Sequence, residues 1–184
     1  MKHFPFLIFV LLVFAACNSN KSKTTSTDTI KSTSQETTSD DLWEDPPMLL
    51  GSFEVDELKK APYNEWYVPI YEETVLDEER VAYLGTLMED VEIIGFVGTG
   101  CNDTQIELPN LFKILNRIDF DQNKIELVGV DEEYQAPDGS NIEWNIERVP
   151  TFIFIKDNQE LGRFVEFPDE SLLEDVIKIL KENQ

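Results

Sequence analysis

The sequence predicts an α/β domain whose central mixed sheet is flanked by helices. A strand, a helix and a second strand follow one another between residues 91 and 130. Two more strands and a closing helix follow between residues 151 and 180, after a long loop. Because a strand, a helix and a strand in succession form a right-handed unit with parallel strands, the first group supplies the parallel part of the sheet. The predicted order is therefore β-α-β, a loop, and β-β-α.

The first group is recognised by its apolar patterns. Residues 91–97 form a near-continuous apolar run, which is typical of a strand buried on both faces. Residues 104–118 are predicted to form a helix with one apolar face, and Pro109 is expected to kink it. Residues 125–130 are predicted to form the second strand. The predicted apolar face of the helix consists of Ile106, Leu111, Ile114, Leu115 and Ile118.

The second group has the pattern of a hairpin followed by an amphipathic helix. Residues 131–145 are rich in Asp, Glu, Pro and Gly and are predicted to be a loop. Residues 151–155 and 160–167 are predicted to be strands, joined by a turn at residues 157–159. Residues 170–180 place five aliphatic side chains on one helix face. This order of elements is that of the thioredoxin fold.

Residues 42–90 are expected to form an N-terminal helical extension that packs on a thioredoxin-like core of residues 91–184. Helical turns are predicted near residues 55–60 and 66–72. A longer helix is predicted at residues 77–88, because acidic residues begin this segment and apolar side chains recur on one face.

Residues 1–16 are predicted to be a secretory signal peptide. A short basic start precedes an apolar run at residues 4–13, and two alanines stand directly before Cys17. The run is too short to span a bilayer, which takes about 20 apolar residues. The arrangement resembles the lipobox of bacterial lipoprotein precursors, in which the cysteine is lipidated and becomes the mature N terminus. The resemblance implies membrane anchoring through lipid on Cys17.

Residues 17–41 are expected to comprise the lipidated cysteine and a disordered tether. The segment is rich in Ser and Thr, and Ile30 is its one aliphatic side chain, so it cannot bury enough apolar surface to fold. Asn18 follows the cysteine in place of the aspartate that is associated with retention in the inner membrane. The predicted location is therefore the cell envelope, lipid-anchored in the outer membrane and facing the periplasm.

The composition excludes several classes of function. The chain has 15 Lys and Arg against 37 Asp and Glu, a net charge of −22, so no nucleic-acid partner is expected. Its single histidine, His3, lies in the predicted signal peptide, which excludes a Ser-His-Asp triad, a Cys-His dyad and a histidine metal site from the mature protein. The acidic residues 131–133 and 138 are interpreted as a solvated loop, so no metal and no cofactor are expected. With Cys17 lipidated, Cys101 is the one free thiol.

Residues 94–118 resemble the active-site strand, turn and helix of the thioredoxin superfamily. They are most similar to envelope thioredoxin-like proteins of Bacteroidetes, and the resemblance covers about residues 50–182. The matching positions are Cys101 for the nucleophile, Asp103 and Thr104 for an Asp-Ser pair, Pro109 for the helix proline, Val149-Pro150-Thr151 for the cis-proline loop and Gly162-Arg163 for the following strand. The sequence departs from the family at Gly100, where tryptophan is usual, and at Thr104, where dithiol members have a second cysteine.

The resemblance implies that Cys101 is the nucleophile and that Thr104 and Pro150 shape its site. A helix N terminus favours the thiolate form of a cysteine, and Thr104 is expected to donate its hydroxyl hydrogen to that thiolate. Asp103 is a secondary candidate that opposes the thiolate by charge repulsion. The backbone of Val149, just before the expected cis-proline, is expected to pair with an extended substrate.

Two functions follow from a single thiol in this fold. The first is a monothiol protein that exchanges thiols and disulfides with envelope proteins or low-molecular-weight thiols; without a second cysteine it cannot complete a dithiol cycle. The second is a redox-inactive binding or adaptor module tethered to the membrane. A peroxiredoxin-like role is disfavoured, because Thr99 stands two residues before Cys101 and the peroxiredoxin pattern requires three. Enzymatic activity and oligomeric state stay open at this point.

Overall fold

The structure, a computed structural model, describes residues 46–183. The predicted signal peptide of residues 1–16, the lipidated Cys17 and the tether of residues 17–41 all lie outside the described residues.

One five-stranded sheet runs through the described part of the chain. Its strands are β1 (Gly51–Phe53), β2 (Glu92–Val97), β3 (Ile125–Gly129), β4 (Thr151–Lys156) and β5 (Gln159–Val165). Their order across the sheet is β1-β3-β2-β4-β5. β2 and β3 are parallel, as the β-α-β prediction requires, and the other neighbouring pairs are antiparallel. The chain therefore has the predicted α/β class and thioredoxin-like fold.

The predicted helices are present with small shifts at their ends. The helices of the described residues are α1 (Asn64–Glu73), α2 (Glu78–Leu87), α3 (Asn102–Arg117), α4 (Ser140–Glu143) and α5 (Leu172–Asn183), with short 3-10 helices at Val55–Lys59 and Gln122–Lys124. Of these, α4 and the 3-10 helix at Gln122–Lys124 were not predicted. α3 begins two residues earlier than predicted and continues through Pro109. α4 is a single turn inside the segment predicted to be a loop.

The two faces of the sheet are covered differently. On one face, apolar side chains of α1, α2, α3 and α5 form a single buried cluster with side chains such as Ile93, Phe152 and Phe164. On the other face the cover is the segment that follows β3, which buries Ala136 and Ile146 against the sheet. The helices are therefore on one side, and a loop with one helical turn is on the other.

The strand β1 was not predicted from the sequence. It lies at the edge of the sheet, antiparallel to β3, with Gly51 opposite Gly129. The backbone ahead of β1 approaches β3 so closely that a Cβ on Gly129 would lie 2.0 Å from the Leu49 carbonyl oxygen. Glycine at this position lets the extension lie directly on the strand. A strand of three residues is too short to show an alternating pattern.

The apolar face of α3 differs from the prediction at one residue. Ile106 is 46% exposed, whereas Glu107 is only 7% exposed. Successive residues of an α-helix are about 100° apart, so Ile106 lies about 140° around the axis from Leu111, and Glu107 lies close to its face. The placement of Ile106 on the buried face was therefore wrong, and the helix buries a carboxyl group instead.

The hairpin between β4 and β5 is tighter than predicted. Lys156 pairs directly with Gln159, so the turn contains only Asp157 and Asn158. Both residues have positive φ angles, 52° and 60°. Two left-handed residues define a type I′ turn, and Asp and Asn are among the residues that accept that conformation.

Candidate functional site

The backbone places Cys101 at the N terminus of α3, directly after the turn that follows β2. Cys101 is the N-cap residue, and its extended backbone has φ −85° and ψ 128°. Its N–H donates to the Gly98 carbonyl at 2.9 Å, and its carbonyl accepts from the Gln105 N–H at 3.0 Å. The thiol is half-buried. It therefore lies where unpaired N–H groups and the helix dipole stabilise negative charge.

The Cys101 sulfur contacts the loop that contains the cis-proline. The Val149–Pro150 peptide bond is cis, as predicted, and the Cys101 thiol donates to the Val149 carbonyl oxygen at 3.4 Å. Val149 is 4% exposed. Residues 48 positions apart in the sequence are thus in direct contact, and the Val149 backbone lies beside the sulfur.

Gly98 packs directly against Val149 and Cys101, and the sequence did not predict a role for it. A Cβ on Gly98 would lie 3.3 Å from Val149 Cγ2 and 3.7 Å from Cys101 Cβ. A larger residue would press on the Val149 side chain, whereas its Cβ would be in ordinary contact with Cys101. Glycine at the end of a strand is a signal of close backbone approach, and that signal could have identified Gly98.

The predicted hydrogen bond between Thr104 and the Cys101 sulfur is absent from the described residues. Thr104 is fully buried, and its hydroxyl oxygen accepts the Gly98 N–H at 3.4 Å. The Thr104 side chain therefore lies in the protein interior, where its hydroxyl stabilises the turn between β2 and Cys101. The expectation that it donates to the thiolate was wrong, although the residue does shape the site.

Two further residues near the thiol leave it accessible. Asp103 lies in the first turn of α3 and is half-buried, and α3 has no side-chain hydrogen bond at its N-cap. Gly100 is exposed, and a Cβ placed on it would have nothing within 4 Å. Position 100 therefore faces open space next to Cys101.

Thr99 connects the N-terminal extension to the cysteine loop. Its side chain is 3% exposed, and its hydroxyl oxygen accepts the Leu49 N–H at 3.1 Å. Its carbonyl oxygen accepts from the Gln105 side-chain amide at 2.9 Å. The segment ahead of β1 therefore reaches to within two residues of Cys101. Sequence reasoning missed this role because the partners are 50 residues apart.

An ion pair lies over the cis-proline. Arg148 Nη1 lies 2.8 Å and 2.9 Å from the two carboxylate oxygens of Glu166, and these hydrogen bonds raise the pKa of Arg148. The Glu166 N–H donates to the Pro150 carbonyl at 2.8 Å, and its backbone has a positive φ of 62°. Glu166 is thus fixed by its backbone as well as by its side chain.

A buried carboxyl group lies on α3 below the site. Burial raises the pKa of Glu107, and the nearby charges of Asp103 and Asp175 raise it further. The Asn110 side-chain amide donates to Glu107 at 3.5 Å and opposes that shift. The sequence pattern gave no indication of this group, because a glutamate on a helix is normally solvent-exposed.

The described residues contain no group of three or more His, Cys, Asp or Glu side chains arranged to hold a metal ion. A cavity of about 210 Å³ is lined by Phe53, Tyr67, Phe112 and Ile125, at the opposite end of the sheet from Cys101. The chemistry available at the site is therefore that of a single half-buried thiol beside a backbone carbonyl.

Comparisons with known proteins show no family for this chain. No protein-family model matches the chain, and no curated protein matches it. Among solved structures, a Pseudomonas aeruginosa protein of unknown function is 19% identical, with 68% of this chain and all of that chain covered and a TM-score of 0.40. Fasciola hepatica thioredoxin is 20% identical, with 56% and 93% covered and a TM-score of 0.37. Mitochondrial thioredoxin 3 of Saccharomyces cerevisiae is 22% identical, with 55% and 89% covered and a TM-score of 0.36. The fold assignment rests on the strand order described above.

Proposed function

We propose that the protein is a membrane-anchored monothiol protein that exchanges thiols and disulfides through Cys101 in the cell envelope. The observation that carries the proposal is the contact between the Cys101 sulfur and the Val149 carbonyl, at the N terminus of α3. That contact places an accessible thiol, a helix terminus and the backbone before a cis-proline within one small site.

The proposed exchange is a substitution at sulfur. The Cys101 thiolate attacks one sulfur of a disulfide, a mixed disulfide forms, and the other half leaves as a thiolate. The hydrogen bond to Val149 is lost when Cys101 gives up its proton, so the carbonyl becomes free to accept a backbone N–H of the incoming molecule. Pro150 fixes the direction of that carbonyl. Because the sequence has no second cysteine besides the predicted lipidation site, an external thiol must release the mixed disulfide.

The anchor and location in this proposal come from the sequence. The signal peptide and the lipobox ending at Cys17 support attachment to the outer membrane, with Cys101 facing the periplasm. Envelope proteins or low-molecular-weight thiols are the proposed partners. No helix among residues 46–183 is long and apolar enough to cross a bilayer.

A redox-inactive binding module is the second candidate. One observation favours it: the Cys101 thiol donates its hydrogen to Val149, an arrangement that stabilises the neutral thiol rather than the reactive thiolate. Thr104, which was expected to stabilise the thiolate, bonds to Gly98 instead. In this alternative the fold serves for binding, and the cysteine has no chemical role.

Replacement of Cys101 by serine separates the two candidates. In cells that make the full chain, we expect the wild type to form mixed disulfides with envelope proteins, visible as reductant-sensitive bands after acid quenching. Cys101→Ser should abolish these bands. Val75→Ser, at a side chain that is 93% exposed, is the matched control and should keep them. If the Cys101→Ser variant binds the same proteins, with or without reductant, the redox proposal is wrong and the binding module is favoured.

A further inference from the structure

The strand register brings several chain segments to the end of the sheet where Cys101 lies. Val97 pairs with Gly129, Phe96 with Thr151, and Thr151 with Val165, so the ends of β2, β3 and β5 and the start of β4 meet there. We call this surface the Cys101 edge. It consists of residues 98–103, 130–138, 147–151 and 165–170.

The Cys101 edge is strongly acidic. Its acidic residues are Asp103, Asp131, Glu132, Glu133, Asp138, Glu147, Glu166, Asp169 and Glu170. Six of the nine are exposed, namely Glu132, Glu133, Asp138, Glu147, Asp169 and Glu170. Arg148 is the one basic residue in the four segments of the edge.

The other basic side chains of the described residues lie elsewhere. Those nearest the opposite end of the sheet are Lys59, Lys60, Lys124 and Lys156. Lys113 and Arg117 lie in the second half of α3. Lys178 and Lys181 of α5 line a cleft with Asp169 and Glu170, so they offset the charge only at that margin of the edge. Arg80 is held by Glu174, and Arg163 is held by Glu160 at 2.5 Å and by the Trp144 carbonyl at 2.9 Å.

Arg148 itself offers little positive charge to a ligand. Both carboxylate oxygens of Glu166 contact its Nη1, at 2.8 Å and 2.9 Å, and Glu166 is held in place by its own backbone bond to Pro150. An anionic partner would have to displace this carboxylate before it could bind the guanidinium. The edge therefore carries far more negative than positive charge, with Glu132, Glu133 and Glu147 exposed on it, and its one cation, Arg148, is already paired with Glu166.

We propose that the Cys101 edge makes the thiol selective for positively charged disulfides and disfavours anionic ones. The inference rests on the proposed thiol exchange, and it names the substrate class: small cationic disulfides, or disulfides next to basic residues in a peptide. A field of this kind changes association rates by factors of about 10 to 1,000, and it weakens as salt is added.

The exchange that tests this selectivity is balanced without a further reagent. The Cys101 thiolate attacks a symmetric disulfide, forms one mixed disulfide and releases one equivalent of the small thiol as a thiolate. Cys101 is oxidised and one half of the probe is reduced. The released thiol can be counted, and the adduct on Cys101 can be weighed by mass spectrometry.

The experiment compares three disulfides with the full chain carrying Cys17→Ser, so that Cys101 is its one thiol. The probes are cystamine, which is cationic, 2-hydroxyethyl disulfide, which is neutral, and 3,3′-dithiodipropionate, which is anionic. Each rate is divided by the rate of the same probe with a small neutral thiol, which removes differences in leaving-group reactivity. We expect the corrected rate of cystamine to exceed that of the anionic probe about tenfold at 0.01 M salt, and the ratio to fall at 0.5 M.

Matched charge variants show whether the edge is responsible. Glu132→Gln with Glu133→Gln removes two exposed charges from the edge, whereas Glu92→Gln with Glu126→Gln removes two exposed charges from the opposite end of β2 and β3. We expect the first pair to lower the cationic-to-anionic ratio about two- to threefold at 0.01 M salt, and the second pair, which is farther from the thiol, to lower it clearly less. Equal rates for charged probes, or equal effects of the two pairs, would overturn the selectivity while leaving the exchange proposal intact. No adduct with the neutral probe would instead overturn the exchange proposal and the inference with it.

Discussion

At the scale of single residues, the Cys101 sulfur lies between two opposing influences. The N terminus of α3 favours the thiolate, and the hydrogen bond to the Val149 carbonyl favours the thiol. A partner that supplies an N–H to that carbonyl would remove the second influence. In the structure the thiol and the Val149 carbonyl are hydrogen-bonded to each other, so an exchange at Cys101 begins with the loss of that bond.

Thr99 holds the loop before Cys101 through hydrogen bonds to Leu49 and Gln105. Thr99→Val keeps the shape of the side chain but leaves the partly buried Leu49 N–H without its partner, which costs about 1 kcal/mol. We expect the loop to loosen and the alkylation of Cys101 by iodoacetamide to become faster. The measurement is the alkylation rate at fixed pH, together with the urea unfolding midpoint.

Thr99→Ser is the control for that substitution, because it retains the hydroxyl group. It should restore the wild-type alkylation rate, with a smaller loss of stability from the missing methyl group. Identical alkylation by the valine and serine variants would show that the hydroxyl does not position the loop.

At the scale of elements, hydrophobic periodicity was sufficient for the long segments. The strands β2, β3, β4 and β5 and the helices α3 and α5 lie close to their predicted bounds, because each buries a continuous apolar face. The short elements β1 and α4 were missed, since three or four residues are too few for a pattern to repeat recognisably. Their positions are set by contacts with distant segments rather than by local pattern.

The same division applies to the candidate site. Cys101 and Pro150 could be identified because a lone cysteine and a Val-Pro-Thr sequence are local signals, and the structure brings them together. Gly98 contacts Val149, 51 residues away, and Thr99 bonds to Leu49, 50 residues away, and no local pattern reveals such contacts. Thr104 was identified, but its partner was predicted incorrectly, because the sequence does not show which way a buried hydroxyl points.

The attachment of the extension to the sheet can be tested at Gly129. Gly129→Ala places a Cβ 2.0 Å from the Leu49 carbonyl oxygen, so the backbone ahead of β1 must move. We expect a loss of about 1–3 kcal/mol in the free energy of unfolding, as for other overpacked sites. Gly100→Ala is the matched control: its Cβ meets nothing within 4 Å, so its effect should stay within about 0.5 kcal/mol. Equal stability of the two variants would mean that the segment ahead of β1 is not held on β3.

At the scale of the whole molecule, negative charge is distributed over a small fold. The net charge is −22 for the chain, and acidic side chains lie at both ends of the sheet as well as on α5. Mutual repulsion of these groups opposes the compact state, and protonation relieves it. The stability of the protein therefore depends on pH through its buried carboxyl group as well as through its surface.

Glu107 is the group whose titration should be visible in the stability of the whole domain. Burial and the charges of Asp103 and Asp175 raise its pKa above the ordinary value of 4.5 in the folded state. A carboxyl group whose pKa is raised by folding contributes most below the unfolded-state pKa, and this contribution is lost as the pH rises through the folded-state pKa. Glu107→Gln removes the buried charge and keeps the shape, so we expect the variant to be more stable than the wild type at pH 7. The advantage should shrink as the pH falls and vanish below about 4.5.

Thermal unfolding between pH 4 and pH 8 measures this difference. Glu126→Gln, at an exposed position on β3, is the matched control, and its stability relative to the wild type should stay within about 0.5 kcal/mol across the range. A Glu107→Gln variant that is less stable than the wild type at pH 7 would contradict the argument. That result would mean that the hydrogen bond from Asn110 outweighs the cost of burying the charge, and that α3 depends on an ionised Glu107 to hold its place against α5.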